Sequence, residues 1–237
     1  MRVRARYAKQ GRLRFISAID LGRLWERALR KADLPIAYTE GFTPHPKVSF
    51  PDALALGCAS TGEYVELTFV VPTDVGAMVA AFNAAAPDGL RILAAVEVAE
   101  GAPRFSRWLQ ASLWDLRYPA GYAGVLDRGV HALADAEQLP VDRERKGTTT
   151  QLDLRPALHL IASRDHTVRV VLHHVEPPFR PTEVHQSLCA TTDLETLPEP
   201  QLVTRVAQGS AEADGLCEAL SGQTLPVAPL DRAAPAG

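Results

Sequence analysis

An apolar stripe at Leu21, Leu24, Trp25, Ala28, Leu29 and Ala32 constrains this chain more than any other feature. Its i, i+3, i+4, i+7, i+8, i+11 spacing covers one face of an α-helix, and that face has to be buried. Ser17 and Asp20 precede it at capping-box spacing, and the helix stops before Pro35. The flanking segments read as strands. Residues 2–8 alternate Arg2, Arg4 and Arg6 with Val3, Ala5 and Tyr7, the period of a half-buried strand. Residues 36–39 read as extended, and 63–71 place Val65, Leu67, Phe69 and Val71 on one side of another strand. Thr73 can cap a helix carrying Val75, Met78, Val79 and Phe82, ended by Asp88-Gly89. A last strand over 90–98 alternates Leu90, Ile92, Ala94, Val96 and Val98. The resulting order, β-α-β-β-α-β, is that of the ferredoxin-like fold, with both helices on one face of an antiparallel sheet and the other face open for recognition.

Beyond a polar link at about 100–108, strands are expected at 111–118, 139–145, 149–154, 167–175 and 202–207, with helices at 122–137, about 155–162 and 181–190. The expected architecture is therefore α+β, with two tandem ferredoxin-like lobes, a basic one over 1–100 and an irregular one over 109–208. Residues 209–237 lack strong apolar periodicity and close with Pro226, Pro229, Pro235 and Gly237, so a mostly disordered tail is expected there.

Charge divides the chain. Residues 1–50 hold eleven Lys or Arg against four Asp or Glu, a balance of +7, whereas the remainder carries −10 and the whole −3. A local positive field of this kind steers anions even on a protein that is acidic overall. Arg23, Arg27 and Arg30 fall at i, i+4, i+7 opposite the apolar stripe, with Lys31 beside them, making one cationic helix face. Arg2, Arg4 and Arg6 crowd one face of the first strand and need neutralising, in part by Glu66 on a paired strand and for the rest by RNA or the second lobe. In the loop Gly41-Phe42-Thr43-Pro44-His45-Pro46-Lys47, Gly41 permits a positive φ and the prolines stiffen the backbone. Phe42, His45, Lys47 and Ser49 then combine an aromatic, an imidazole, a cation and a hydroxyl, a set suited to phosphate contact and base stacking.

Catalytic patterns are sparse. No Gly-x-x-x-x-Gly-Lys or Gly-x-Gly-x-x-Gly occurs, which disfavours ATP and NAD chemistry. His173 and His174 are adjacent on a strand and point to opposite faces, and no His-x-x-x-His or His-Glu-x-x-His exists, so neither a metal nor a cofactor is expected. His45 is the one candidate acid or base, with no identifiable partner. Cys58, Cys189 and Cys217 are widely spaced and read as reduced packing residues. No apolar run is long enough to span a bilayer and no signal core follows Met1, so a cytoplasmic protein without membrane contact is expected.

Arg12-Leu-Arg14-Phe-Ile-Ser-Ala-Ile-Asp20, Arg27-Ala-Leu-Arg-Lys-Ala32, Gly41-Phe-Thr-Pro-His-Pro-Lys-Val-Ser49, Leu56-Gly57 and Glu63-Tyr64 follow one another in an order that resembles the radical SAM-linked (radical SAM-associated) protein family, a domain of unknown function. Leu152-Asp-Leu-Arg-Pro156, Arg180-Pro181 and Val203-Thr-Arg-Val-Ala-Gln-Gly209 extend the resemblance over most of the chain. It implies an accessory protein working beside a separate radical SAM enzyme on RNA or ribosomes. The chain lacks the Cys-x-x-x-Cys-x-x-Cys that would hold the iron–sulfur cluster of such an enzyme. Relatives usually read Ser-His-x-Asp where this chain has Ser17-Ala18-Ile19-Asp20, a further argument against an enzyme. The leading expectation is a non-catalytic accessory that binds or presents RNA, tRNA or rRNA rather than DNA, through Arg2, Arg4, Arg6, Arg12, Arg14, Arg23, Arg27, Arg30, Lys31, Phe42, His45, Lys47 and Ser49. The alternatives are a metal-independent endoribonuclease using His45 and a protein-only scaffold for the radical SAM partner.

Overall fold

The computed structural model describes residues 1–191 and 197–227, which divide into two units, each with its own packing. Met1–Leu109, Thr204–Ala207 and Ala219–Gly222 form the first, and the remainder the second.

In the first unit the elements run β1 (Arg2–Lys9), α1 (Ala18–Lys31), β2 (Val48–Ser49), β3 (Ala59–Thr68), α2 (Val75–Ala85) and β4 (Leu90–Glu97). The strands order as β4-β1-β3-β2, with every neighbouring pair antiparallel. The apolar stripe behaves as its period demands: Leu21, Trp25, Ala28 and Leu29 meet Val3, Ala5 and Tyr7 of β1, Val65 and Leu67 of β3, and Met78 and Phe82 of α2 in one core. Trp25 is its centre, stacked on Phe82 at 4.3 Å between centroids and edge-on to Tyr7 at 5.0 Å. The Ser17 cap forms as expected, its Oγ accepting from the Asp20 N–H at 3.1 Å. Ser17→Ala is expected to cost about 1 kcal/mol, read as a lower urea midpoint, and Ser17→Asn to restore most of it.

Three expectations need correction here. Asp74 rather than Thr73 caps α2, because its Oδ1 reaches the Ala77 N–H at 2.7 Å. Residues 36–39 are extended but make only isolated bridges, Ile36 to Phe69 and Tyr38 to Pro46, since Pro44 and Pro46 leave too few donors for a ladder. The sheet face opposite the helices is covered in part. Phe105 and Leu109, with Trp108, pack against Tyr64 there, drawn by an apolar ring that the alternation of β3 turns away from the main core.

The second unit runs β5 (Ala111–Arg117), α3 (Ala123–Asp135), β6 (Pro140–Arg145), β7 (Thr148–Asp153), β8 (Leu158–Arg164), β9 (Thr167–His173), α4 (Pro181–Thr191), β10 (Leu202–Glu212, whose Thr204–Ala207 belong to the first unit), β11 (Gly215–Glu218) and β12 (Thr224–Pro226). Its strands order as β10-β5-β9-β8, and β6 and β7 form a separate hairpin turning at Lys146-Gly147, both at positive φ. The helix expected near 155–162 is instead β8. Leu158, Ile161 and Ala162 have helical spacing, but β8 pairs in register with β9 across the turn at Asp165, and the ladder decides. Residues 209–227, expected to be disordered, complete β10 and add β11 and β12, because backbone pairing orders segments with little apolar content. Residues 228–237 of the expected tail lie outside the described residues. Arg155 of the Leu-Asp-Leu-Arg-Pro segment donates to the carbonyls of Leu133 and Ala134 at the end of α3 and to that of Leu158, a structural use of that motif.

Candidate functional site

Two features of the first unit stand out: its cationic surface, and a charged cavity behind the start of α1.

On the surface, Arg23, Arg27, Arg30 and Lys31 are exposed, as the amphipathic period of α1 requires. Arg23 makes a weak pair with Asp20 at 3.4 Å. Arg12, Arg27, Arg30, Lys31 and Lys47 have no ion pair among the described residues. Arg14 is half-buried with its guanidinium over the ring of Phe15 at 4.6 Å, and Phe15 itself is exposed. The Gly41 loop is a narrow projection: the Thr39 N–H donates to the His45 carbonyl at 2.8 Å, and the His45 N–H donates to Thr39 Oγ1 at 3.0 Å. Gly41 has φ 127°, which other residues rarely adopt, and the turn it permits leaves Phe42 fully exposed at the tip. His45 and Lys47 are exposed beside it.

Not all of the expected contact residues belong to this surface. Arg4 is completely buried: its Nε donates to Glu66 at 2.8 Å, a second nitrogen donates to the Pro103 carbonyl, and the guanidinium lies over Phe105 and Trp108 at 4.7 and 4.4 Å. Arg2 pairs with the same Glu66 at 3.4 Å, as neutralisation of the strand's charges requires. Arg6 is half-buried, and Ser49 is exposed on β2 opposite Glu66.

The cavity is a feature that sequence reasoning missed. It measures about 320 Å³ and is bounded by Ala18 and Leu21 of α1, Phe50, Asp52 and Leu54 of the following loop, and Tyr7, Lys9 and Glu63 of β1 and β3. Behind the cavity, Arg205, 3% exposed, donates to both oxygens of Glu63 at 2.8 and 2.6 Å and also to Asp52. Burial alone would lower the Arg205 pKa; Glu63 and Asp52 reverse that and raise it. Lys9 is 1% exposed, and its ammonium donates to the Ile16 carbonyl at 3.2 Å with no ion pair among the described residues. Burial holds its pKa below the ordinary value, with Glu63 opposing. Burial and then Glu63 push the Tyr7 phenol well above its ordinary range, so it stays a neutral donor. The Cys58 thiol is pushed up by burial, which makes it a poor nucleophile at neutral pH. Glu63-Tyr64 and Val203–Gly209 thus meet in one ion pair.

In the second unit the histidines are dispersed. His174 pairs with Ser112 at 2.6 Å, His173 packs on His159, and His185 meets Tyr118 at 3.1 Å. Among the described residues no three His, Cys, Asp or Glu converge as metal ligands, and no helix is long and apolar enough to cross a membrane.

A family model described as an uncharacterized protein conserved in bacteria, DUF2344, matches residues 2–181. No curated protein matches the chain.

Proposed function

We propose that this chain, which belongs to the DUF2344 family, binds RNA through the cationic surface of its first unit and serves as the accessory partner of a radical SAM enzyme. The observation that carries the RNA reading is the solvent-facing row Arg23, Arg27, Arg30 and Lys31, of which only Arg23 has an ion pair among the described residues. Unpaired exposed guanidinium groups bind phosphate by releasing its condensed counterions. Exposed Phe42 and Phe15 add stacking surfaces for unpaired bases. The radical SAM partner follows from the sequence resemblance, and the absence of a cluster-binding cysteine motif assigns the chain the accessory half. The strand orders β4-β1-β3-β2 and β10-β5-β9-β8 support reading both units as ferredoxin-like, the second with the β6-β7 hairpin inserted.

Anisotropy of labelled single-stranded tRNA and rRNA fragments tests the binding. With about five phosphate contacts, the logarithm of affinity should fall with log salt at a slope of about −3.5, a loss on the order of 100-fold between roughly 50 and 200 mM. Arg27→Ala with Arg30→Ala should reduce that slope by about 1 to 2. Association that is absent or indifferent to salt rules the RNA reading out. Retention of a radical SAM protein on the tagged chain after nuclease treatment tests the partner.

A further inference from the structure

The cavity behind α1 has polar groups that the fold leaves unsatisfied. Tyr7 is 1% exposed and its hydroxyl has no hydrogen-bond partner among the described residues, although it borders open space. Lys9, equally buried, spends one N–H on Ile16 and has two left. Both residues line the open space of the cavity, so these donors are available to an acceptor that enters it. Asp52 stands at the opening. Its carboxylate accepts from Arg205 and from the Ala53 N–H at 2.7 Å, yet 45% of its side chain stays exposed. The walls between these groups are apolar and aromatic, from Phe50, Leu21 and Leu54. Two donors inside, a carboxylate at the mouth and apolar walls between them describe a planar ligand with two acceptors on one edge and donors on another. The volume is at the lower end of the range for small-ligand pockets, about 300–1,000 Å³.

Among the nucleobases guanine has that pattern. O6 and N7 are adjacent acceptors of the kind lysine reads, while N1–H and the 2-amino group donate. Adenine and cytosine place an amino donor where guanine has O6. The mouth also suits a strand that extrudes one base. Ala18, Asp52 and Ala53 are exposed there, and the same segments carry exposed Phe15, Ile19 and Leu56. Arg23 lies one helical turn beyond Ile19. The Gly57 N–H donates to the Arg14 carbonyl at 2.9 Å, holding the loop against the Gly11–Phe15 turn.

We infer that this cavity takes an unpaired guanine of the bound RNA, with Tyr7 and Lys9 donating to its O6 and N7 and Asp52 accepting from its N1 and 2-amino groups. The inference rests on the RNA-binding reading and goes beyond it by naming the base and its pocket. The test uses labelled uridine octamers with one central guanosine, 7-deazaguanosine, inosine or abasic residue, and an all-uridine control, bound to the intact chain. The guanosine octamer should bind about 10-fold tighter than the abasic and all-uridine ones. Loss of N7 or of the 2-amino group should each remove a few-fold of that preference. Tyr7→Phe should narrow it while keeping the melting temperature, since its hydroxyl supports nothing in the fold. Salt-sensitive binding with equal affinity for guanosine and abasic octamers overturns the guanine pocket and leaves the RNA reading standing. No salt-sensitive binding to any octamer overturns both. The RNA substitutions act on the unmodified protein, so the result does not depend on a variant folding.

Discussion

Arg205→Met is expected to destabilise the first unit by about 3–5 kcal/mol, the cost of leaving a buried charge without its partner. Glu63 is 2% exposed, and Arg205 supplies both of its strong hydrogen bonds. Removing the cation leaves a desolvated carboxylate with no other ion pair among the described residues. The urea midpoint should fall accordingly. Pairing Arg205→Met with Glu63→Leu should recover most of the loss, because the buried charge goes with its partner, while Asp52 at the exposed rim is left to water. A single variant within about 1 kcal/mol of the parent would show that water reaches Glu63 and that the pair is not desolvated.

Trp25→Ala should cost a similar amount, about 3–5 kcal/mol, through the cavity it opens among Tyr7, Phe50 and Phe82. Trp25→Phe should cost much less. The indole N–H is buried without a hydrogen bond, so the smaller ring loses packing but also removes an unsatisfied donor. Near-equal losses for the two variants would contradict this account. Because Tyr7 and Phe50 line the cavity and pack on Trp25, the alanine variant should also weaken discrimination at the guanine position.

Local patterns were enough to read most of the first unit. The stripe from Leu21 to Ala32, the Ser17 cap, the Pro35 stop and the alternation of β1 each depend on neighbours within one or two turns, and each appears where expected. Thr73 against Asp74 at the start of α2 differs by a single position, because both residue types cap and only the backbone geometry chooses between them. Misreadings arose where pairing partners decide. Leu158, Ile161 and Ala162 satisfy a helical period over one turn, and only the β9 strand beyond Asp165 converts the segment into a ladder. Gly215–Glu218 and Thr224–Pro226 are too short and too poor in apolar residues to announce strands, and they hold by pairing.

The cationic face was legible for the same local reason, the i, i+4, i+7 spacing of Arg23, Arg27 and Arg30. The fate of Arg4 was not. Its alternation matched Arg2 and Arg6, and only the return of Phe105 and Trp108 across that face encloses it. The cavity was out of reach because Asp52, Glu63 and Arg205 are far apart in the chain, and the strand reading of 2–8 ended one residue before Lys9. The repeated sequence matches around Glu63 and Arg205 were the one available signal, without a geometry to join them.

Arg205 belongs to the first unit yet is made roughly a hundred residues after the rest of that unit's main segment ends at Leu109. Glu63 precedes Arg205 by 142 residues, so at translation rates of about 5–20 residues per second it waits roughly 7–28 s for its counter-ion. During synthesis the N-terminal lobe therefore lacks the Thr204–Ala207 segment that closes its charge cluster, and its final stability is set after the second unit's main segment has emerged. A fragment cut at Leu109 carries the whole βαββαβ succession but not the neutralised core, so the boundary drawn by sequence order is not a boundary for folding.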